Sequence, residues 1–162
     1  MAYLINISPS STHEAILDAL YRAVNAYDTN DLALHDSAFL DSIDTTFSLD
    51  GRDFQGLEAI RGPFKIVGPL DTTHTVTNPR VIHEEGDTPA RITATTLAQH
   101  FRAGEGKMER KIGFLGGSFY DLDVVFEAES GPWNIKRFDI KIIWSEGDVI
   151  SVVMPSVSST SH

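Results

Sequence analysis

The sequence predicts a single α+β domain in which N-terminal helices pack on one concave face of a curved antiparallel sheet and enclose a pocket. The chain has 162 residues, of which 41% are hydrophobic, and these values suit one domain with one sizeable core. Helical periodicity dominates the N-terminal part, whereas two-residue alternation dominates the long segments that follow. No repeat or long linker divides the chain. We therefore predict one domain over 1–162, with a core of about 12–148 and a polar tail at 155–162.

The first helix is predicted to begin at a capping box. Ser11 and Glu14 fit the S-x-x-E pattern. In this pattern the serine side chain accepts a hydrogen bond from a backbone N–H of the first turn, and the glutamate side chain accepts one from the backbone N–H of the serine. An apolar stripe with spacings of three and four then follows: Ile16, Leu20, Val24 and Tyr27. Asp28 lies four residues after Val24, so its side chain is expected near this stripe and not squarely in water.

Shorter elements are predicted next. Asp31 can cap a second short helix that runs through Ala38. From 43 to 49 the period changes to two, which predicts a half-buried strand that ends at the turn signal Asp50-Gly51. A further helix begins near 56 and ends before Gly68-Pro69.

Four β segments are predicted to follow, at roughly 73–83, 90–102, 114–128 and 133–145. One face of the third segment carries Tyr120, Leu122, Val124 and Phe126. In the last segment, Trp133 and Ile135 are out of phase with a second set, namely Phe138, Ile140, Ile142 and Trp144. This change of phase predicts a β-bulge near Lys136-Arg137 that would bend the sheet.

Composition excludes several classes of function. Lysine and arginine number 13 against 23 aspartates and glutamates, a net charge of −10 that would repel phosphate backbones and anionic membranes. We therefore expect no nucleic-acid or membrane partner. The chain has no cysteine, which excludes disulfides, thiolate metal sites and cysteine nucleophiles. A reducing compartment fits this composition, and with no signal-peptide pattern or membrane-length apolar run we expect a cytoplasmic location.

Two neighbouring strands are predicted to line a cavity. One face of the second β segment carries mostly small side chains, which leave volume unfilled: Ile92, Ala94, Thr96, Ala98 and His100. On the strand before it, one face carries His74, Val76 and Asn78. An isolated histidine is more often a core or edge residue, and this interpretation applies to His13, His35, His83 and His162. His74 and His100 become candidates together with Asp28 and Tyr27, because an acid–base site needs an acceptor, a donor and an orienting group.

Other site chemistries have less support. Two histidines and an aspartate could bind a non-haem metal, but no short His-x-Asp or His-x-x-x-His spacing is present, so we expect no metal ligands. The segment Gly104-Glu-Gly106-Lys107 does not match a phosphate-binding loop. Ser10, Ser11 and Ser118 lie in no nucleophile-elbow pattern, which leaves serine hydrolase chemistry without support.

These residues together resemble the SnoaL-like and scytalone dehydratase branch of the nuclear-transport-factor-like superfamily, whose members are small, cone-shaped α+β proteins. The resemblance covers most of 12–148. The segment 27–31, Tyr-Asp-Thr-Asn-Asp, resembles the Tyr-Asp-x-x-Asp stretch of scytalone dehydratase, and Thr73-His74 resembles its Thr-Gln-His strand start. His100 falls where the second active-site histidine of the family lies. The segment 133–144 resembles its last long strand.

The resemblance implies a cofactor-free pocket in which an Asp–His pair acts on the proton being moved. A tyrosine hydroxyl and the other histidine would hold water or a carbonyl oxygen. The closer relatives transform aromatic or terpenoid polyketide intermediates by dehydration, ring closure or isomerisation. Compared with scytalone dehydratase, Asp50 stands in place of a second tyrosine, and Tyr120 and Leu122 replace a serine and an asparagine. These differences weaken the hypothesis of a dehydratase and are compatible with an isomerase that uses the same Asp–His pair.

The resulting hypothesis is a cofactor-independent isomerase or dehydratase that acts on an aromatic polyketide or a related secondary metabolite. Asp28 and His100 are the expected acid–base pair, within hydrogen-bond reach, and His74 is the third catalytic candidate. The expected substrate-binding residues are Tyr27, Tyr120, Asn78 and Asp50. Two alternatives are a polyketide cyclase and a non-catalytic module for small-molecule binding or dimerisation. The expected partners are a small hydrophobic or aromatic molecule and a second copy of the chain, because the outer sheet face could serve a homodimer.

Overall fold

The structure, a computed structural model, describes residues 9, 11–109, 111, 113–128 and 131–153. Within these ranges the helices are α1 (Thr12–Thr29), α2 (Leu32–Ala38), α3 (Leu57–Val67) and α4 (Val149–Val153). The strands are β1 (Thr46–Leu49), β2 (Arg52–Gln55), β3 (Asp71–Ile82), β4 (Pro89–Phe101), β5 (Phe114–Val125) and β6 (Asn134–Gly147). The predicted α+β class is confirmed, and the predicted tail at 155–162 lies outside the described residues.

Side-chain caps begin the first two helices, as the sequence predicts. The hydroxyl of Ser11 accepts a hydrogen bond from the backbone N–H of Glu14 at 3.2 Å. Asn30 ends α1 in the left-handed region, with φ of 52°. One residue later, the carboxylate of Asp31 accepts from the backbone N–H of Leu34 at 3.0 Å and so begins α2. Tyr27 and Asp28 lie in the last turn of α1, just before Asn30.

The six strands form one sheet with the order β2-β1-β6-β5-β4-β3. Strand β1 is parallel to β6, and the other neighbouring strands are antiparallel. The predicted strand at 43–49 is shorter than expected, because Ile43 is 75% exposed and pairing starts only at Thr46. Strand β2 was not predicted. It follows a tight turn in which Asp50 and Gly51 both have positive φ, and it pairs back onto β1.

Bulges decide which side chains face inward. Asp123 pairs with Arg137 and Val124 with Ile135, so Lys136 is the extra residue and the predicted bulge is confirmed. A second bulge at Ile143, between the pairings of Ser118 with Ile142 and of Gly117 with Trp144, was not predicted.

The second bulge reverses the direction of Trp144. Its side chain is 47% exposed and covers Gly117 on the outer face, so the prediction that Trp144 shares a face with Ile142 is wrong. A Cβ atom at Gly117 would overlap the indole, which explains why glycine stands there.

The main core lies between α1 and the inner face of the sheet. Its fully buried members include Ile16, Leu20, Ile92, Leu122, Val124 and Ile135. Arg22 is also buried, with 2% of its surface exposed. Its guanidinium donates to Asp18 at 2.7 Å and to the backbone carbonyls of Ser37 and Trp133, which ties α1 to the end of α2 and to the start of β6. None of the helices in the described ranges has the length and apolar content that a bilayer crossing requires.

Candidate active site

A cavity of about 170 Å³ lies between the inner face of the sheet and helices α1, α3 and α4. Its polar side chains are Tyr27, His74, His100, Ser118 and Tyr120. The rest of the lining is apolar or glycine and comes mainly from the two layers that face each other, with Ala23, Val24, Phe47, Ala98, Gly116, Phe138 and Ile140 among its members. Of the predicted small-residue face of β4, Ala98 and His100 line this cavity, whereas Ile92, Ala94 and Thr96 are buried outside its lining.

Asp28 and His74 form a close pair at one side of this cavity. His74 Nδ1 lies 2.6 Å from Asp28 Oδ1, and the backbone N–H of His74 donates to Asp28 Oδ2 at 2.8 Å. Both oxygens of the Asp28 carboxylate therefore bind His74. A carboxylate at Nδ1 favours the tautomer with the proton on Nδ1, which leaves Nε2 as an acceptor. Among the described residues, Nε2 of His74 makes no hydrogen bond of its own.

The predicted hydrogen bond between Asp28 and His100 is wrong. The last turn of α1 lies against β3 and not against β4, so His74 meets the carboxylate first. Strand β3 is at the edge of the sheet, where outward N–H groups have no strand partner. Asp28 accepts from one such N–H, and this interaction fixes the position of its carboxylate.

His100 lies on the other side of His74. The two rings are perpendicular, with centroids 5.6 Å apart. His100 is 7% exposed, and its Nδ1 has no hydrogen-bond partner among the described residues. Burial, and then the electrostatic interaction with His74, lower the pKa of His100 to about 4, although the Phe114 backbone and Asp28 oppose this shift. The imidazole of His100 is therefore neutral near pH 7.

Two tyrosines complete the polar part of the cavity. Tyr27 packs against His74 and Phe64, with ring centroids 5.9 and 5.3 Å apart. Its hydroxyl is buried and has no hydrogen-bond partner in the described part of the chain. Burial raises the pKa of Tyr27, and burial also raises the pKa of Tyr120 to about 12. Both hydroxyls therefore stay protonated and can donate hydrogen bonds.

Asp50 and Asn78 do not line the cavity, so their predicted placement at the substrate is wrong. Asp50 is exposed at the β1–β2 turn, with φ of 50°, and the neighbouring Leu49 faces the cavity instead. Asn78 lies in an irregularity of β3, between the pairings of Thr77 and Arg80, with φ of 52°. This extra residue ends the alternation that starts at His74. The Asn78 side chain turns outward and donates to Thr95 at 3.3 Å.

His35 is fully buried beneath the cavity, as predicted for a core histidine. Its ring packs on Phe64, with centroids 4.6 Å apart, and edge-on against Tyr27 at 5.8 Å. His35 Nδ1 lies 3.1 Å from Asp36, which in turn accepts from Arg61 at 2.7 Å. Burial is the main cause that lowers the pKa of His35. This residue supports Tyr27 from behind and does not line the cavity.

Sequence reasoning missed part of the lining. Ser118 lies on the cavity face of β5, and the inward alternation of Gly116, Ser118 and Tyr120 was the signal that could have identified it. Helix α4 contributes Val149 and Val153, which no pattern in the sequence indicated. In the described ranges, no three histidine, aspartate or glutamate side chains come together as metal ligands would.

Comparison with known proteins places the chain among its relatives. The SnoaL-like domain family matches residues 9–139. The chain belongs to the SnoaL-like family. The terrestric acid biosynthesis cluster protein E of Penicillium crustosum is 36% identical to this chain over 146 residues, which cover 89% of this chain and 92% of that protein. The predicted family resemblance is thereby confirmed.

Solved structures share the fold of this SnoaL-like protein. A proposed scytalone dehydratase from Novosphingobium aromaticivorans has a TM-score of 0.71 at 18% identity, over 90% of this chain and 93% of that one. A hexachlorocyclohexane dehydrochlorinase from Novosphingobium barchaimii has a TM-score of 0.67 at 16% identity, over 85% of this chain and 90% of that one. At these identities the comparison shows the cone-shaped fold alone.

Proposed function

We propose that this SnoaL-like protein is an acid–base isomerase or dehydratase that acts on an aromatic polyketide or a related secondary-metabolite intermediate. The observation that carries this proposal is the Asp28–His74 pair, joined at 2.6 Å on the wall of an apolar cavity. A histidine held by a carboxylate is a common general base. The relatives support the assignment, because one is named for a biosynthesis cluster and others for a dehydratase and a dehydrochlorinase.

The chemistry begins with removal of a proton from a carbon next to a carbonyl group. Nε2 of His74 accepts the proton, and Asp28 stabilises the resulting imidazolium through Nδ1–H. The C–H electron pair moves into the substrate and places negative charge on the carbonyl oxygen. The hydroxyls of Tyr27 and Tyr120 can donate hydrogen bonds to that oxygen, because both stay protonated.

Two outcomes follow from the same intermediate. If His74 returns the proton to a different carbon, the product is an isomer. If it gives the proton to a hydroxyl group on the β carbon, that group leaves as water, the electron pair forms a C=C bond, and the product is dehydrated. The pKa of His100 is lowered to about 4, which makes it a weak proton acceptor, so in this scheme it is a hydrogen-bond partner of the substrate and not the main base.

The test uses 3-hydroxycyclohexanone, which carries both an α carbon and a β hydroxyl. NMR in D₂O follows deuterium uptake at the α carbon and formation of cyclohex-2-enone. We expect Asp28→Asn and His74→Ala each to lower the rate by ~10²–10⁴-fold. The double variant should lose little more, because the two residues act as one unit.

Asp50→Asn provides the matched control, since it makes the same chemical change at an exposed turn where asparagine tolerates positive φ. It should keep the rate of the unmodified protein. Additive losses in the double variant, or full activity of His74→Ala with folding intact by circular dichroism, would contradict the proposed base. Binding of the ketone without any α exchange would favour the alternative of a non-catalytic binding module.

A further inference from the structure

We propose that the cavity selects an uncharged molecule with a single ring that bears at least one hydrogen-bond-accepting oxygen. The inference rests on the proposed function, because it names the substrate class of the same site. It excludes carboxylates, phosphate esters and fused multi-ring compounds as substrates. Three properties of the cavity lead to it: its volume, the absence of lysine and arginine from the part of its lining that the structure describes, and a buried hydroxyl group that has no partner among the described residues.

The volume of about 170 Å³ limits the ring system. An engineered protein cavity of ~150 Å³ binds benzene, so a volume of this size holds one six-membered ring with a small substituent. Ala98 and Gly116 set the depth on the sheet side, because they pair directly across β4 and β5 and both line the cavity. A second fused ring would have to displace the packed side chains opposite them.

The charges around the cavity favour a neutral ligand. No lysine or arginine is among the described residues that line it. His74 is the group that could carry a positive charge there, but its Nδ1 is already paired with Asp28. A carboxylate or phosphate would therefore be buried without a counter-charge, which is costly. A cationic ligand is also disfavoured, because both oxygens of Asp28 are occupied by His74.

The polar groups require an oxygen on the ligand. The Tyr27 hydroxyl is buried and unpartnered among the described residues, and Nδ1 of His100 is in the same condition. Buried polar atoms in proteins are nearly always hydrogen-bonded, so a ligand oxygen that reaches these atoms would satisfy groups that the described residues leave unpaired. A keto or hydroxyl oxygen beside the ring can accept from Tyr27, and a hydroxyl can also donate to a neutral histidine.

The first experiment measures binding by isothermal titration calorimetry with three inert probes that each differ in one property. Benzamide is neutral and has one ring, benzoate has the same shape with a charge, and 2-naphthamide is neutral with two rings. We expect benzamide to bind at least about tenfold more tightly than either of the others, because benzoate would bury a charge and 2-naphthamide would overlap packed side chains. Tyr27→Phe should weaken benzamide binding by about three- to tenfold through loss of one hydrogen bond.

A steric variant tests the size limit directly. Gly116→Val is compatible with the strand, because its Cβ would meet the Phe114 ring only at 3.6 and 3.7 Å, an ordinary contact. It should reduce benzamide binding by about tenfold or more, because its methyl groups occupy ligand volume. Gly62→Ala is the control, since its Cβ meets nothing within 4 Å and Gly62 does not line the cavity. Binding to this variant should be unchanged.

The results separate this inference from the proposed function. Equal binding of benzoate or of 2-naphthamide, no binding of benzamide, or no effect of Gly116→Val in a folded protein would each overturn the proposed ligand class. Those results leave open whether α-proton exchange depends on His74. Conversely, the expected selectivity without His74-dependent exchange would retain the ligand class and refute the acid–base enzyme.

Discussion

Two histidines line one cavity, and their environments give them different chemistry. The Nδ1 atom of His74 lies 2.6 Å from a carboxylate oxygen, which favours the tautomer that leaves Nε2 as an acceptor. His100 has no such partner, and burial lowers its pKa to about 4. In the proposed mechanism the proton taken from the substrate is therefore assigned to His74, while the neutral ring of His100 exchanges hydrogen bonds near pH 7.

The lowered pKa of His100 predicts how folding stability depends on pH. Between about pH 6.5 and pH 4, the unfolded chain binds a proton at this position that the folded protein does not. The free energy of unfolding should therefore fall as the pH falls through this window, and be fully restored above it. In His100→Asn this dependence should be weaker by roughly 1–3 kcal/mol.

Urea unfolding of both proteins at several pH values across the window measures this difference. The comparison between the two proteins isolates His100, because the buried His35, whose pKa is also lowered, is present in both. His74 and Asp28, the other ionisable groups beside His100, are unchanged as well. Parallel loss of stability in the two proteins would show that His100 titrates normally in the folded state.

At the scale of single elements, the features that depend on neighbouring residues, such as helix caps and one β-bulge, were predicted from the sequence. The caps at Ser11 and Asp31 and the bulge at Lys136 follow from the residues within a few positions of each. Strand β2 could not be predicted, because it is short, largely exposed and stabilised by pairing with β1. The bulge at Ile143 was equally hidden, and strand parity beyond it failed for Trp144.

The candidate site shows the same division between local and non-local information. Helix spacing and strand parity correctly brought Tyr27, His74, His100 and Tyr120 to one cavity. They could not indicate which histidine Asp28 would meet, because that depends on which strand lies at the sheet edge beside α1. Asn78 does not face the cavity, because it lies in an irregularity of its strand. One added residue in a strand turns every following side chain to the opposite face.

Helix α2 offers a test of how far its cap stabilises the structure around the site. Its N-terminal carboxylate, Asp31, accepts from the Leu34 N–H at 3.0 Å, and the helix carries His35 beneath Tyr27. Asp31→Ala should lower the free energy of unfolding by about 1 kcal/mol, because that N–H loses its partner. Asp31→Asn keeps an acceptor oxygen and should stay close to the unmodified protein. Equal losses in both variants, measured by urea unfolding, would show that charge and not the cap hydrogen bond stabilises this turn.

At the scale of the whole molecule, the sheet has an inner face that forms the core and cavity and an outer face of mixed character. Exposed apolar side chains cluster on the outer face where β4, β5 and β6 run side by side: Leu97, Phe119, Ile143 and Trp144. Such a patch is typical of an interaction surface. It supports the homodimer prediction, which stays a prediction, as does the cytoplasmic location.

Arg22 joins the parts of the molecule that enclose the core. It lies in α1, yet its guanidinium donates to the backbone carbonyls of Ser37 at the end of α2 and Trp133 before β6. Asp18 accepts from it at 2.7 Å and balances its charge, while burial lowers the pKa of Arg22. An arginine in a helix is normally exposed, so no sequence pattern indicated this role.

Removal of the Arg22 guanidinium should therefore weaken the whole fold. Arg22→Met keeps much of the apolar stem but removes the side-chain donor to the Trp133 carbonyl and to the Asp18 carboxylate, while the Ser37 carbonyl still accepts from Asn134. The free energy of unfolding should therefore fall by roughly 2–4 kcal/mol. Arg91→Met is the matched control, because Arg91 also binds a carboxylate, Asp121, but is 51% exposed. That variant should unfold at nearly the same urea concentration as the unmodified protein. If the two variants lose similar stability, the buried contacts of Arg22 contribute no more than a surface ion pair, and other contacts must hold α1, α2 and β6 together.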